Sequence, residues 1–330
     1  MSVLMFEPGR FFPQCHASCL LPLEEGRLIC AYFAGTKERA DDVGIWLSEF
    51  DGARWLDPRL IAKLSDEPHW NPVLFAVRDG IRLVFKTGRE IAHWRSWTMF
   101  SADGGRMWSQ PHPYVGNPAG GPVRSKPIRL ASGELLAPNS DEDGPWTPRV
   151  DVSSDEGESF VQRARIPVNL TDADRHDYIP GRGALQPPLW ESRPGCVHAL
   201  LRTSAGRIFR SDSVDGGRTW MQARPLLVPN NNSGIDAVRT EDGRIFLALN
   251  PTSGDFVQRT PLCIYQSLDN GESFSPYAVV NDQPLNEFTG QTAEFSYPSL
   301  VYREGVLYLS YTYNRRAIAF WTQRTAAPCT

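Results

Sequence analysis

Arg202 and Arg259, with Lys86, Arg124, Lys126 and Arg315, are the side chains of this 330-residue sequence best suited to hold an anion. The chain is net acidic, at −4, so cations that converge on one face point to a small anionic ligand, above all a carboxylate. Among them stand groups that move protons: His16, His69, Tyr297, Asp41, Asp42 and Glu294. Together these types can run a β-elimination at a uronic acid, which needs a cation on the carboxylate, a base and an acid. Arg202, Arg259 or Lys126 would neutralise the carboxylate, and His16 or His69 would share the proton transfers with Tyr297. His176, in Asp174-Arg-His-Asp-Tyr, falls in a long segment over residues 167–185 that is expected to overhang the site and contact substrate.

These residues are scattered over the whole chain, so the fold has to bring them together. A repeated pattern, Ser-x-Asp-x-Gly-x-x-Trp/Phe, says which fold. It occurs as Ser101-Asp103-Gly105-Trp108, Ser153-Asp155-Gly157-Phe160, Ser213-Asp215-Gly217-Trp220 and Ser267-Asp269-Gly271-Phe274, with a stretched copy at Ser48, Asp51, Gly52 and Trp55. The aromatic positions 55, 108, 160, 220 and 274 lie 53, 52, 60 and 54 residues apart, the spacing of a repeat fold in which each unit buries its apolar face on a neighbour. Each copy reads as a hairpin turn: Asp accepts backbone N–H groups, Gly supplies a positive φ, and the aromatic ring covers the turn. No copy has the oxygen-ligand run of a calcium loop.

Around each box the sequence repeats four strand-like runs, such as 72–77, 81–86, 96–101 and 108–114, or 186–191, 196–203, 207–213 and 220–228. The expected fold is therefore all-β: a six-bladed β-propeller with four antiparallel strands per blade, one domain over residues 1–330. The last unit has three runs, 296–302, 306–313 and 316–322; residues 2–6 are expected to supply its fourth strand and close the ring. In a propeller the boxes, joining strand three to four, share one face. The loops from strand two to three and from strand four to the next blade share the other, and all the candidate residues above fall in that second set.

With boxes and rim in place, the chain resembles the sialidase-like (Asp-box, BNR-repeat) superfamily of six-bladed propellers over essentially its whole length. The resemblance implies an exo-acting glycosidase that removes a terminal acidic sugar without a cofactor or metal. In such enzymes three arginines hold the carboxylate, a Tyr assisted by a Glu is the nucleophile, and an Asp is the acid/base. Arg202 in His198-Ala-Leu-Leu-Arg-Thr and Arg259 in Gln258-Arg-Thr-Pro-Leu match the second and third arginines. Tyr297 in Phe295-Ser-Tyr-Pro-Ser-Leu matches the nucleophile, and Asp41 or Asp42 the acid/base. His16 stands where the first arginine is expected, and no carboxylate stands near 184–186, where the assisting Glu belongs; Glu294 is the substitute. The departures leave two other readings beside the hydrolase, a lyase of the rhamnose–glucuronate type and a glycan-binding propeller without turnover.

The resemblance implies an acidic sugar or oligosaccharide as partner, and composition argues against the other classes. No basic stripe for nucleic acid and no membrane-spanning run is present. Without a signal-like start, and with six scattered cysteines, a reduced cytoplasmic setting is expected. Trp70, Trp94 and Trp146, in predicted loops, are candidates for stacking on a sugar ring. His198 reads as a packed strand histidine and His112 as a surface one.

Overall fold

The computed structural model describes residues 2–170 and 182–325. They form six antiparallel sheets arranged as blades. Blade one is built from Gln14–Pro22, Leu28–Gly35, Gly44–Phe50 and Arg59–Ala62; blade two from His69–Val77, Gly80–Thr87, Arg95–Ser101 and His112–Pro113. Blade three uses Ile128–Arg129, Leu135–Asp141, Thr147–Ser153 and Val161–Arg165. Blade four uses Leu189–Arg193, Cys196–Thr203, Arg207–Ser213 and Arg224–Pro229, with Ala184–Leu185 extending its inner edge. Blade five uses Asp236–Arg239, Ile245–Leu249, Leu262–Ser267 and Ser275–Asn281.

Blade six closes the ring as the sequence predicts. Phe295–Arg303, Val306–Tyr313 and Ala317–Arg324 receive Ser2–Leu4 as their fourth strand, with Val3 opposite Phe320. Behind that strand Met5 and Phe6 are buried in a core shared by blades five, six and one. Two fourth strands differ from expectation. Only His112–Pro113 pairs in blade two, because Pro111 and Pro113 carry no N–H for a ladder. In blade four the fourth strand starts at Arg224 rather than at the box aromatic.

The boxes act as inter-blade rivets. In blade two Asp103 Oδ1 accepts the N–H groups of Arg106 (3.0 Å) and Met107 (2.9 Å), and the Trp108 indole donates to Gly105 O (3.0 Å). The box serine has a role that turn chemistry alone did not reveal. Its Oγ donates to the Asp while accepting the N–H of the box glycine, at 2.8 Å in Gly105 and 2.9 Å in Gly217. These glycines have φ of 83° and 81°, and a Cβ on either would meet the preceding blade, at Ile29 or Leu136. Glycine thus lets each turn sit flush on its neighbour.

On the opposite face a second irregularity recurs. The innermost strand breaks register between His16 and Cys19, between Trp70 and Val73, and between Ser296 and Ser299. Blade four has the same break: Ala184–Leu185 and Leu189–Arg193 both pair with Cys196–Thr203. Within each break one non-glycine residue has positive φ: Ala17 (55°), Asn71 (41°), Gln186 (52°) and Tyr297 (53°). Three of the four precede a proline, whose missing N–H suits the unpaired position. Bulges of this kind re-aim a side chain, here at the mouth of the channel, and each such residue carries about 1–3 kcal/mol of strain.

Candidate active site

Tyr297 is the centre of the mouth. Its bulge turns the ring out of blade six, where it packs on His16 of blade one with ring centroids 4.2 Å apart. Three guanidinium groups from three other blades surround it: Arg124 at 5.3 Å from the ring centroid, Arg202 at 5.5 Å and Arg259 at 5.6 Å. Arg202 also donates to the phenolic oxygen at 3.1 Å. Arg202 reaches this point because Cys196–Thr203 ends at the mouth. Arg259 is anchored by its own carbonyl, which accepts the N–H of Phe295 at 2.9 Å. Arg124 donates to the carbonyl of Pro298, the second residue of the tyrosine bulge.

The arginines are not all satisfied. Arg124 and Arg202 are almost fully buried, at 2% and 4% exposure, yet the Nε of each has no hydrogen-bond partner. A buried cationic donor without an acceptor is costly, and here two of them stand at one tyrosine. Blade one presents His16 to the ring, and blade three supplies the third guanidinium through Arg124.

Glu294 sits behind this cluster. Its Oε1 accepts from Arg259 (2.8 Å), Arg315 (2.8 Å) and Ser296 (2.7 Å). Burial pushes the Glu294 carboxyl up, but Arg315 and Arg259 outweigh it and hold the group below the usual carboxylate range. It is therefore ionised at neutral pH. Arg315 is shared between Glu294 and Glu38 and so is already neutralised. His16 is forced the other way. Burial first, then Arg315, Arg259, Arg124 and Arg202, push it well below its ordinary value, so the imidazole is neutral, with Nδ1 against Thr312 Oγ1 at 2.8 Å.

Other candidates lie elsewhere. The His69 ring is locked by backbone, Nε2 accepting from Leu64 N (2.9 Å) and Nδ1 bonded to Glu67 O (3.0 Å), with burial lowering it to about 4. Neither nitrogen is left for substrate. Asp41 is exposed and gripped by both terminal nitrogens of Arg89. Asp42 caps its own loop through Thr36 N (2.9 Å) and Thr36 Oγ1 (2.6 Å). Lys86 spends its three N–H groups on Ser96 Oγ, Ala119 O and Gly120 O, and burial draws it down to about 7. Lys126 points away from the mouth. It pairs with Asp236 (3.1 Å) and Ser299 (2.8 Å) and lines a cleft at the far end of the channel with Trp190 and Tyr302. His176 lies outside the described residues. Trp70 and Trp94 are buried, whereas Trp146 is half-buried, edge-on to Phe256 and beneath Arg182.

One carboxyl on the mouth side was not singled out by its sequence context. Glu142, in the loop after Leu135–Asp141, accepts from Gln186 Nε2 at 3.1 Å and Ser140 Oγ at 3.2 Å. Gln186 is the bulge residue of blade four, the counterpart of Tyr297 in blade six. The recurring residue-Pro pair, Gln186-Pro187 and Tyr297-Pro298, is the signal in the sequence that links them.

This is the architecture of a six-bladed propeller whose mouth gathers arginines around a tyrosine. The chain belongs to the BNR repeat-like domain family, which it matches over residues 26–309. Its fold is similar to that of the Hadza microbial sialidase Hz136, at 16% identity and a TM-score of 0.76, covering 98% of this chain and 68% of that one. A Dyadobacter fermentans protein of unknown function is similar end to end, at 17% identity, a TM-score of 0.76 and 98% of both chains. Trypanosoma rangeli sialidase in complex with the inhibitor DANA follows at 14% identity and a TM-score of 0.72, over 98% of this chain and 59% of that one. No curated protein matches the chain. No helix among the described residues is long and apolar enough to cross a membrane.

Proposed function

We propose that this protein is a sialidase-like glycosidase that releases a terminal acidic sugar. One observation carries the reading: Arg124, Arg202 and Arg259 surround Tyr297, and the buried Nε atoms of the first two have no partner within the chain. A sugar carboxylate supplies the missing acceptors and orients the ring over the phenol. The Tyr297 oxygen attacks the anomeric carbon as the bond to the leaving oxygen breaks, and Glu294, kept ionised by its two arginines, takes the phenolic proton. Water then cleaves the glycosyl–tyrosine bond, and the phenol regains its proton. The likeness to sialidases supports the class of sugar.

The test is release of p-nitrophenol from p-nitrophenyl glycosides of sialic and related acidic sugars. Wild-type protein is expected to release it, with Tyr297→Phe lowering kcat at least 100-fold and leaving binding nearly intact. No release from any acidic glycoside would overturn the hydrolase reading.

The contact between neutral His16 and Tyr297 favours a second reading, a lyase acting at a uronic acid. There the arginines neutralise the carboxylate and the His–Tyr pair moves the two protons of a β-elimination. A lyase leaves an unsaturated product with new near-ultraviolet absorbance; a hydrolase does not.

A further inference from the structure

Hydrolysis of an unactivated glycoside needs a carboxyl that is protonated when substrate binds and lies on the leaving-group side. Asp41 and Asp42 do not fit this requirement: one is clamped by Arg89 and the other caps Thr36, and both are exposed. A cavity of about 740 Å³ opens between blades two and three, and its lining reaches Val123, the chain neighbour of Arg124. Its walls include Trp94, Asn139 and Glu142, and the Glu142 carboxyl feels the charge of Arg202. From there Glu142 reaches Gln186, whose side chain is 3% exposed and whose Oε1 has no partner. Gln186 is held on a positive-φ bulge equivalent to that of Tyr297, and its amide is spent on Glu142.

We propose that the cavity between blades two and three receives the leaving group and that Glu142 is the proton donor to the glycosidic oxygen. The proposal rests on the hydrolase reading above. In the first step the Glu142 carboxylic proton passes to the leaving oxygen as its bond to the anomeric carbon breaks and Tyr297 forms the new one. In the second step the Glu142 carboxylate takes a proton from the attacking water as the glycosyl–tyrosine bond breaks, restoring both groups. Electrostatics agree with the geometry. Burial pushes the Glu142 carboxyl up, against the pull of Arg202, of hydrogen bonds from Gln186 and Ser140, and of Lys86. Gln186 fixes the carboxyl by donating one N–H.

The test compares two sialic acid glycosides, p-nitrophenyl, whose leaving group needs little protonation, and methyl, whose leaving group needs it fully. In Glu142→Gln, kcat/KM for the methyl glycoside is expected to fall 10²–10⁴-fold and for the p-nitrophenyl glycoside less than tenfold, with the alkaline limb of the pH profile lost. Glu142→Asp, which keeps a carboxyl set back from the cavity, is expected to lose methyl glycoside activity but keep the limb. It stands in if the glutamine variant melts much below wild type. Glu24→Gln, an exposed carboxyl on the opposite face, should leave both rates unchanged. Equal losses on the two substrates, or no loss on either, would overturn the assignment while leaving the hydrolase reading intact. Wild type that binds sialic acid but cleaves neither glycoside overturns both the hydrolase and the proton donor. Wild type that does not even bind overturns the acidic-sugar site as well.

Discussion

Tyr297 is positioned by what is missing beside it. Gly234, at the head of blade five, lies flat against the ring, and a Cβ there would come within 3.2 Å of Tyr297 Cγ and Cδ2. Gly234→Ala must therefore push the ring by a few tenths of an ångström. Steady-state kinetics should show kcat/KM down by about tenfold, since a 1 Å misplacement can cost about 10². The melting temperature should barely change. Arg202 contributes differently. Replacing it by Lys removes the planar fork and the bond to the phenol. Loss of a charged hydrogen bond costs about 1.5–3 kcal/mol, so calorimetry should find the acidic sugar bound roughly 10–100-fold more weakly. The residue types of this site were legible from the sequence: Arg202, Arg259 and Tyr297 meet where the blade order put them. Arg124 and Lys126 were not separable, because the segment before Ile128–Arg129 is irregular and alternation alone does not say which of the two faces the mouth. Glu142 was missed because its partner is an amide, and a sequence shows no burial.

The boxes of strand three to four are structural, and their chemistry sets an acid limit on stability. Burial pushes Asp215 and Asp269 up, but hydrogen bonds from Thr219 and Ser213, or Ser267 and Ser273, with backbone N–H groups, overcome it and hold both at about 2. The ordinary value is 3.8, so the unfolded chain binds protons first as pH falls. The stabilisation is complete above about pH 5 and is lost as the pH drops through 4 towards 2. Denaturant midpoints should thus be flat near neutrality and fall steeply in that window. Ser213→Ala should lower stability by about 1–3 kcal/mol at neutral pH, because the buried Gly217 N–H loses its acceptor. The boxes announced the blade count and the strand directions in the sequence. The bulges on the other face did not announce themselves, since positive φ at Gln186 or Tyr297 is imposed by tertiary packing rather than by a glycine. Only the following prolines hinted at them.

The ring depends on its first strand. Ser2–Leu4 covers the edge of Ala317–Arg324, and Met5 and Phe6 add two buried side chains to the core between blades six and one. Removing residues 2–6 exposes that edge and both core positions. Truncating one such side chain costs about 2–5 kcal/mol, so the deletion should lower the unfolding free energy by at least about 4 kcal/mol. Light scattering should also rise at temperatures where wild type stays clear, because an uncovered strand edge pairs with other chains. Closure by residues 2–6 was readable because the last unit was one strand short. The two-residue fourth strand of blade two was not, since apolar runs look alike whether or not prolines interrupt the pairing.

A propeller closed in this way holds Arg124, Arg202 and Arg259 around Tyr297, and under the proposed function they recognise a carboxylate. Calorimetric titration with sialic acid and with its methyl ester tests this without requiring turnover. The free acid is expected to bind at least tenfold more tightly than the ester, and Arg202→Ala should abolish the difference. Equal affinity for acid and ester would contradict the assignment of the mouth to an acidic sugar.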